Sequence, residues 1–453
     1  MTNTTKSTTN LTIGNPFSLL LSFSIPLMLG NIFQQLYTFA DALIVGQKIG
    51  PFAMAAISST EWITFIMFSI IGGITQGCSV IISGFFGKCD EEGLEKSIYS
   101  TYIISLVTAL FFTTLGQILI RPTLTLLHTP TEIINLSTQY LKILFIGIPV
   151  TVLYNMLAAI MRALGNSKQP LYAMIIASFS NIVLDLLFIV HFNMGVAGAA
   201  TATIMGQGLA CLYCVVIIKQ TELYGLQPAN RLFSPAIAAD QLKLGLPMGI
   251  QSIITATGGL FVQATANGFG IIFVTGYSAA NKLYALLEIA ATSYAQGTLT
   301  YTAQNNGNHN IKRIKQGLEA SLLIGCLTAA IMSCIMLFAG KPILALFIKT
   351  TEMDVTTAIS IGYLFLQILA YGFPLLYGLY IIRACIQGLG DSFFPMLSSF
   401  IQVIMRVGCA LFLTRLIGYS GIFWGELCAW IGADVFLICV FIKKYKKMAM
   451  HNA

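Results

Sequence analysis

The amino-acid sequence predicts an all-α, polytopic membrane protein with twelve transmembrane helices. Of its 453 residues, 56% are hydrophobic and only 9% are charged, which is too few polar residues to cover a soluble domain. Twelve apolar runs of about 20 residues follow one another, and this is the length that a helix needs to cross a bilayer. A membrane barrel would instead show segments of about ten residues that alternate in polarity. The predicted spans are 17–37, 54–80, 97–119, 137–160, 171–190, 196–218, 242–265, 277–300, 317–339, 359–382, 395–414 and 420–442.

The distribution of Lys and Arg predicts how the chain is oriented. When the N-terminus is placed in the cytoplasm, sixteen of the 24 Lys and Arg residues fall in cytoplasmic segments and five in outer loops. This bias favours an even number of spans with both termini in the cytoplasm. It also accounts for the formal net charge of +7, so the charge does not indicate a nucleic-acid partner.

An internal repeat predicts the architecture. The stretch "IPVTVLYNMLAAIMRALGNSKQP" at 148–170 matches "FPLLYGLYIIRACIQGLGDSFFP" at 373–395, with Gly165 opposite Gly390 at an offset of 225. The offset is 221 near "FSIPLMLG" and 220 near "TQGCSVIISGFFGK". Six duplicated spans predict two six-helix lobes with the same orientation, related by a pseudo-twofold axis along the membrane normal. We expect an N-lobe at 1–220, a cytoplasmic linker at 221–240 and a C-lobe with a basic tail at 241–453.

Acidic residues within the spans are the first candidates for a functional site. Asp185 lies in "SNIVLDLLFIV", with Asn181 and Ser178 on the same helix face. Asp41 lies in "LYTFADALIVGQ", with apolar residues on both sides. An ionised Asp at the bilayer centre costs about 2.5–3.5 kcal/mol on insertion scales, so such residues usually serve a function. Two carboxylates in a cavity of low dielectric would bind a proton or a hard cation such as sodium.

The repeat tests the alternative that these residues are only interhelical hydrogen bonders. A residue needed for packing alone should have a similar equivalent in the other half. Asp185 is instead replaced by Ala410, Asn181 by Arg406 and Asp41 by Val262. The acidic site therefore belongs to the first half, and the functional interpretation is favoured over the packing one.

Several motifs together resemble the multidrug and toxic compound extrusion (MATE) family. They are the turn "MRALGNSKQP" with its repeat "IQGLGDSFFP", the opening "IPLMLGNIFQQLYTFADALIVGQKIG", and "NIVLDLLFI" followed by "GVAGAATAT". The resemblance implies two lobes in a V shape and an alternating-access antiporter that expels organic, often cationic compounds in exchange for protons or sodium ions. It also implies that the residues of the cation-coupling site are Asp41, Asn181, Asp185 and Thr203.

The substrate cavity is less well defined by the sequence. Embedded or adjacent polar and aromatic side chains give a set of candidates: Gln34, Tyr37, Glu61, Tyr154, Asn155 and Glu288. Glu426 is a further embedded acid that could instead pair with a base. Lys282 and Arg406 lie within or beside spans of the second half, which argues against a simple rule that the cavity favours lipophilic cations.

Two other functions remain as alternatives. A lipid-linked saccharide flippase would share the two-lobe architecture, but such proteins often have extra spans and a strongly cationic cavity. A membrane-embedded enzyme would need a catalytic cluster, and the four histidines are scattered over loops and the tail. Without a Walker motif, transport would be secondary. We expect a monomer in the bacterial cytoplasmic membrane that takes small organic molecules and needs no cofactor or metal beyond the coupling proton or sodium ion.

Overall fold

The fold of the chain is all-α, as the sequence predicts. The structure is a computed structural model that describes residues 9–220, 232–348 and 354–451, and these residues form helices joined by short turns, with no strand among them. Each predicted span lies within a helix or a helix run. The first half contains α1 (Pro16–Lys48), α2 (Pro51–Ser58), α3 (Glu61–Lys88), α4 (Glu91–Leu126), α5 (Ile134–Ile146), α6 (Ile148–Ala163), α7 (Lys168–Asp185) with a π-helical continuation (Leu186–His191), and α8 (Val196–Gln220).

The second half repeats this order. It contains α9 (Pro235–Asn267), α10 (Ile271–Gly307), α11 (Ile311–Cys334) with a π-helical continuation (Ile335–Ala339), α12 (Gly340–Phe347), α13 (Val355–Gly388), α14 (Phe393–Gly408) with a π-helical continuation (Cys409–Leu413), α15 (Thr414–Ile417) and α16 (Ser420–His451). The predicted linker at 221–240 falls partly on α9, and its residues 221–231 lie outside the described residues.

Length and hydropathy separate the helices into two groups. In the described residues, ten helices or helix runs are long and apolar enough to cross a membrane, and eleven if α5 and α6, which meet at a 47° bend, form one span. The remaining predicted span, 277–300, lies in α10, which is 37 residues long. This helix is less apolar because it carries polar residues such as Asn281, Glu288 and Gln296. The structure therefore has a helix at every predicted span, and the twelve-helix, all-α prediction is confirmed.

The helices form two compact units. Unit 1 comprises Met1–Asn10 and Ile25–Gly249, and unit 2 comprises Leu11–Ser24 and Ile250–Ala453. Two helices, α1 and α9, therefore begin in one unit and end in the other.

Close glycine packing joins α3 to the first part of α9 within unit 1. A Cβ atom added to Gly73 would lie 2.2 Å from the backbone nitrogen of Gly249, and one added to Gly77 would lie 2.4 Å from the carbonyl oxygen of Gln241. Only residues without a side chain let two helix backbones approach so closely. Gly245 completes this contact, since its own Cβ would lie 2.6 Å from Cα of Ile74.

Aromatic rings fill the interior of unit 2. Phe273 and Tyr277 of α10 contact Phe365 of α13 and Phe423 of α16, with ring centroids 5.0 Å apart for Tyr277 and Phe365 and 5.8 Å apart for Phe273 and Phe423. Rings at these separations attract one another beyond the area that they bury. The polar helix α10 is thereby held against α13 and α16.

The repeated turn before α7 and α14 has the same backbone in both halves. Gly165 and Gly390 both adopt φ of +83°, a region that favours glycine. Asn166 then accepts a hydrogen bond from the backbone N–H of Gln169, and Asp391 accepts one from that of Phe393. The Asn and Asp side chains start the next helix as the sequence predicts.

Candidate functional site

Helices α1 and α7 pack together in unit 1, and this packing positions the acidic residues. Gly30 of α1 faces Leu171 of α7, and a Cβ atom added to Gly30 would lie at contact distance, 3.9 Å, from Cα of Leu171. Further along, the hydroxyl of Ser178 donates to the carbonyl oxygen of Phe33 at 3.3 Å. The two helices therefore run side by side towards Asp41 and Asp185.

The carboxyl groups of Asp41 and Asp185, hereafter the carboxyl pair, lie within hydrogen-bonding reach of each other. Asp185 is fully buried, and neither of its carboxyl oxygens receives a hydrogen bond from a donor in the described residues. Oδ1 of Asp41 also lacks a donor there. Two ionised carboxylates offer acceptors only, so a proton or a cation is needed to make this contact favourable.

Asn181 lies one helical turn before Asp185 and extends the site. It is 2% exposed, and both its amide oxygen and its amide nitrogen lack partners among the described residues. Buried amides are nearly always hydrogen-bonded, so both groups are available to an ion or another polar partner. The carboxyl pair and Asn181 together offer several oxygen atoms that have no donor in the part of the chain that the structure describes.

Thr203 is placed near this site by helix packing. It lies on α8 one turn before Gly206, and a Cβ atom added to Gly206 would be 3.3 Å from Cβ of Asn181. The hydroxyl of Thr203 is partly buried and donates to the carbonyl oxygen of Ala199 at 3.0 Å. The structure thus brings Asp41, Asp185 and Asn181 together. Thr203 lies on α8, which packs against α7 at Asn181, and its hydroxyl hydrogen bond is to its own helix.

A change of helix type follows Asp185 directly. The α-helix ends at Asp185 and continues as the π-helical turn Leu186–His191. The repeat has the same feature at Cys409–Leu413, after α14. π-Helical turns occur often at functional sites. Their presence in both halves shows that the turn belongs to the fold, whereas the carboxylate beside it belongs to the first half alone.

Tyr140 is a neighbour of the carboxyl pair that the sequence does not reveal. It lies on α5, is 9% exposed, and is close enough to interact electrostatically with Asp41, Asp185 and Tyr37. A Tyr in an apolar helix is most often a core residue, and its sequence neighbours give no sign of this contact. Only the packing of α5 in unit 1 places it here.

The side chains of the site fit a proton or a sodium ion better than a transition metal. Sodium is a hard cation that takes carboxylate, amide and hydroxyl oxygens, and these are the groups present. In the described part of the chain, no group of three or more His, Cys, Asp and Glu residues could hold a metal ion. Asp41 and Asp185, with the amide oxygen of Asn181, would hold the ion and lose their mutual repulsion when it binds.

The comparisons with known proteins place this architecture in a family. A family model described as MatE matches residues 26–187 and again residues 247–411. The second match begins 221 residues after the first, in agreement with the internal repeat. This chain belongs to the MATE family of multidrug efflux transporters.

Individual MATE relatives agree with the family match. The chain is 30% identical over 381 residues to the probable multidrug resistance protein YpnP of Bacillus subtilis, and the match covers 84% of each chain. A solved outward-facing conformation of a multidrug resistance MATE family transporter is 24% identical, with a TM-score of 0.90 over 99% of this chain and 100% of that one. A transporter of the MOP superfamily from Pyrococcus furiosus, 22% identical, also has a TM-score of 0.90 over the full length of both chains. These structures share the fold of this transporter.

The predicted cavity residues of this MATE protein do not all have the same surroundings. Glu61 is exposed and lines an open groove of about 430 Å³ together with Thr64, Phe65, Phe68 and Ser69, all on one face of α3. Gln34 of α1 is exposed and interacts with the partly buried Tyr37. Asn155 donates to the carbonyl oxygen of Thr151 at 2.8 Å. Tyr154 is buried in a cluster with Leu157, Met161 and Cys214.

The second half holds its charged residues in a different way. Glu288 of α10 accepts hydrogen bonds from the hydroxyl groups of Tyr380, at 2.6 Å, and Tyr284, at 3.1 Å. Arg406 is buried and forms an ion pair with Glu426 at 2.7 Å, whereas Lys282 is exposed. Arg406 is the equivalent of Asn181 in the repeat, so unit 2 has an ion pair at the position where unit 1 has the Asn181 amide.

Proposed function

We propose that this MATE transporter is a secondary active antiporter that exports organic cations in exchange for protons or sodium ions. The carboxyl pair carries this proposal. Asp185 is fully buried and Asp41 half-buried, and three of their four carboxyl oxygens have no donor among the described residues. Such a pair binds a cation readily and is disfavoured when both groups are ionised and empty. Such a site changes its charge when the ion binds or leaves, as coupling to an ion gradient requires.

The coupling mechanism follows from where the carboxyl pair lies. Asp41 is on α1 and Asp185 on α7, so ion binding changes the force between these two helices. Neutralisation removes the repulsion and lets α1 repack beside Pro26, its internal proline. The outward-releasing state then gains stability, and ion release to the cytoplasm restores the substrate-binding state. Coupling requires that ion and substrate stabilise different states.

The open groove at Glu61 supports a cationic class of substrate. Its lining combines one carboxylate with the rings of Phe65 and Phe68. A lipophilic cation would be attracted both by the carboxylate and by the faces of the aromatic rings. Apolar walls with a few polar groups are typical of small-molecule sites. We extend the proposal to an organic cation that binds near Glu61. The transporter would be a monomer in the bacterial cytoplasmic membrane, with both termini in the cytoplasm, and would need no cofactor besides the coupling ion.

Uptake of ethidium, a fluorescent lipophilic cation, into inside-out vesicles tests the proposal. The parent protein is compared with Asp185→Asn under an imposed proton gradient and, separately, a sodium gradient. We expect gradient-driven uptake in the parent and its loss in Asp185→Asn, because an amide cannot exchange the ion. Glu92→Gln is the matched control, since Glu92 is an exposed acid that pairs with Lys96 on its own helix.

The two gradients separate the possible outcomes. Uptake under only one gradient identifies the coupling ion. Full uptake by Asp185→Asn would show that the carboxyl pair does not couple transport. The absence of uptake by the parent under either gradient would reject the export of cations and favour a non-cationic substrate, including a lipid-linked saccharide.

A further inference from the structure

Helix α1 belongs to both units. Its first residues, together with the segment before it, form Leu11–Ser24 of unit 2, and its remainder from Ile25 belongs to unit 1. The change of unit falls immediately before Pro26, which cannot donate a backbone hydrogen bond within the helix. Asp41 lies in the part that belongs to unit 1. The residue that binds the coupling ion is thus on a helix whose start is held in unit 2.

The segment that precedes α1, here called the N-terminal strap (residues 11–15), is bound by side chains of α10 and α11. Oε1 of Gln304 accepts a hydrogen bond from the backbone N–H of Leu11 at 3.1 Å, and Nδ2 of Asn305 donates to the carbonyl oxygen of Leu11 at 3.2 Å. Arg313 donates from Nη2 to the same oxygen at 3.3 Å and from Nη1 to the carbonyl oxygen of Gly14 at 3.0 Å.

These side chains are themselves fixed, so the strap lies in a built site. Leu11, Gln304 and Asn305 are each fully buried. The guanidinium of Arg313 donates from Nε to Oδ1 of Asn305 at 3.1 Å and lies 5.8 Å from the centre of the Tyr301 ring. A guanidinium held in this way presents two N–H groups in a fixed direction, and here they reach two carbonyl oxygens of the strap.

The internal repeat shows that the fold does not require this arrangement. At an offset of 220, Asn310 aligns with Asp90, and each accepts a hydrogen bond that starts its helix. In the same alignment Arg313 aligns with Gly93, and Gln304 and Asn305 align with Gly84 and Phe85. The strap-binding side chains therefore occur in the second half only.

The equivalent helix α9 is anchored by an amide side chain. Its first part belongs to unit 1, where Nε2 of Gln241 donates to the carbonyl oxygen of Ser97 at 3.1 Å and to Oγ1 of Thr101 at 2.9 Å. The position on α9 equivalent to Asp41 is Val262. Arg313 therefore holds the start of the helix that carries Asp41.

We infer that Arg313 is a positioning residue for ion coupling, which holds the N-terminal strap on unit 2 so that a shift of α1 on ion binding acts on that unit. With the start of α1 fixed, movement of the Asp41 end must be taken up at the Pro26 boundary or passed into unit 2. With the start released, α1 responds to the ion without moving unit 2. The inference rests on the proposed antiport function.

The test measures strap binding and ion coupling separately in reconstituted protein. Hydrogen exchange of residues 11–15 in lipid nanodiscs reports the strap, and the number of coupling ions moved per ethidium in vesicles reports coupling. The variants are Arg313→Ala, Arg313→Lys and the control Lys315→Ala, whose exposed side chain pairs with Glu319 on the same helix. We expect faster hydrogen exchange of the strap in Arg313→Ala. The number of ethidium molecules moved per coupling ion should fall about fivefold, and coupling ions should also cross in the absence of ethidium.

The conservative variant guards against a folding defect. Lys keeps the charge but reaches one carbonyl oxygen rather than two, so Arg313→Lys should fall between the parent and Arg313→Ala. The inference is overturned if strap exchange in Arg313→Ala is unchanged, or if exchange rises while coupling matches that of Lys315→Ala. If the parent protein does not move ethidium under either gradient, the proposed function is overturned instead. The measurement on the parent alone distinguishes this outcome from a failure of the inference about Arg313.

Discussion

Arg406 and Glu426 form a buried ion pair in unit 2, with 2.7 Å between Nη2 and Oε2 and side chains only 10% and 13% exposed. Removal of one partner from a buried pair leaves an uncompensated charge and costs about 3–5 kcal/mol. We therefore expect Glu426→Gln to lower the Tm of the detergent-purified protein clearly. The measurement is thermal unfolding followed by tryptophan fluorescence.

A double variant and a surface control define this result. Arg406→Met combined with Glu426→Leu should regain most of the lost Tm, because an apolar pair can replace a buried ion pair at little cost. Glu319→Gln, which breaks the exposed pair with Lys315, should leave Tm almost unchanged. A Tm for Glu426→Gln equal to that of the parent would mean that the buried pair does not stabilise unit 2.

The helices of this protein could be predicted from its sequence because hydrophobic length is a local property. All twelve predicted spans lie in helices, and the repeated turn at Gly165 and Gly390 has the backbone that its residues indicate. Hydropathy was least informative for α10. This helix is stabilised by aromatic packing and by the hydrogen bonds of Glu288, and these contacts let it carry polar residues that a lipid-facing helix would not.

The candidate site was only partly predictable. Asp41 and Asp185 stand out because carboxylates are rare in apolar helices, and the repeat shows that they have no equivalents. Their proximity, and the neighbour Tyr140, depend on the packing of helices far apart in the chain, which no local pattern contains. The same holds for Arg313, since its partners at residues 11 and 14 precede it by about 300 positions.

Asn181 offers a test of whether sodium or the proton is the coupling ion. Its amide oxygen has no donor among the described residues and lies one turn from Asp185, so it can serve as a sodium ligand, whereas a proton shared by the carboxyl pair does not need it. If sodium is the coupling ion, Asn181→Ala should raise the sodium concentration for half-maximal ethidium transport by about tenfold. If the proton is the coupling ion, the pH dependence of transport should stay close to that of the parent.

Gln117→Ala is the control for this prediction. Gln117 is also an amide in a helix of unit 1, but its side chain donates to the carbonyl oxygen of Lys142 at 2.8 Å. It should leave the sodium dependence unchanged. Sodium-driven transport with equal half-maximal concentrations in the parent and Asn181→Ala would exclude Asn181 as a ligand.

Two adjacent glycines of α3 test the packing in unit 1. A Cβ atom at Gly73 would lie 2.2 Å from the backbone of Gly249, whereas a Cβ atom at Gly72 would meet nothing within 4 Å. Gly73→Ala should destabilise the protein by about 1–3 kcal/mol, because neither backbone can yield without moving a helix. Gly72→Ala should be neutral or stabilising by up to about 1 kcal/mol, since Ala favours helix more than Gly does. The comparison of their Tm values checks both.

The pair is informative because the two changes are chemically identical and one residue apart. Equal Tm values for Gly72→Ala and Gly73→Ala would mean that α3 and α9 do not approach as closely as their glycines allow. Gly249→Ala offers a second view of the same contact, since its Cβ would lie 2.8 Å from Cα of Ile70. It should lower Tm in the same direction as Gly73→Ala.

Gly165 and Gly390 allow backbone strain to be separated from packing. Both have φ of +83°, so replacement by Ala should cost each about 1–2 kcal/mol from the left-handed conformation alone. Gly165 has an additional constraint, because its Cβ would lie 2.0 Å from the carbonyl oxygen of Thr9, whereas Gly390 has nothing within 4 Å. Gly165→Ala should therefore lower Tm more than Gly390→Ala. Deletion of residues 1–10 removes Thr9. In the shortened protein, Gly165→Ala and Gly390→Ala should therefore lower Tm equally. A difference that persists after the deletion would assign the extra cost to another contact of Gly165.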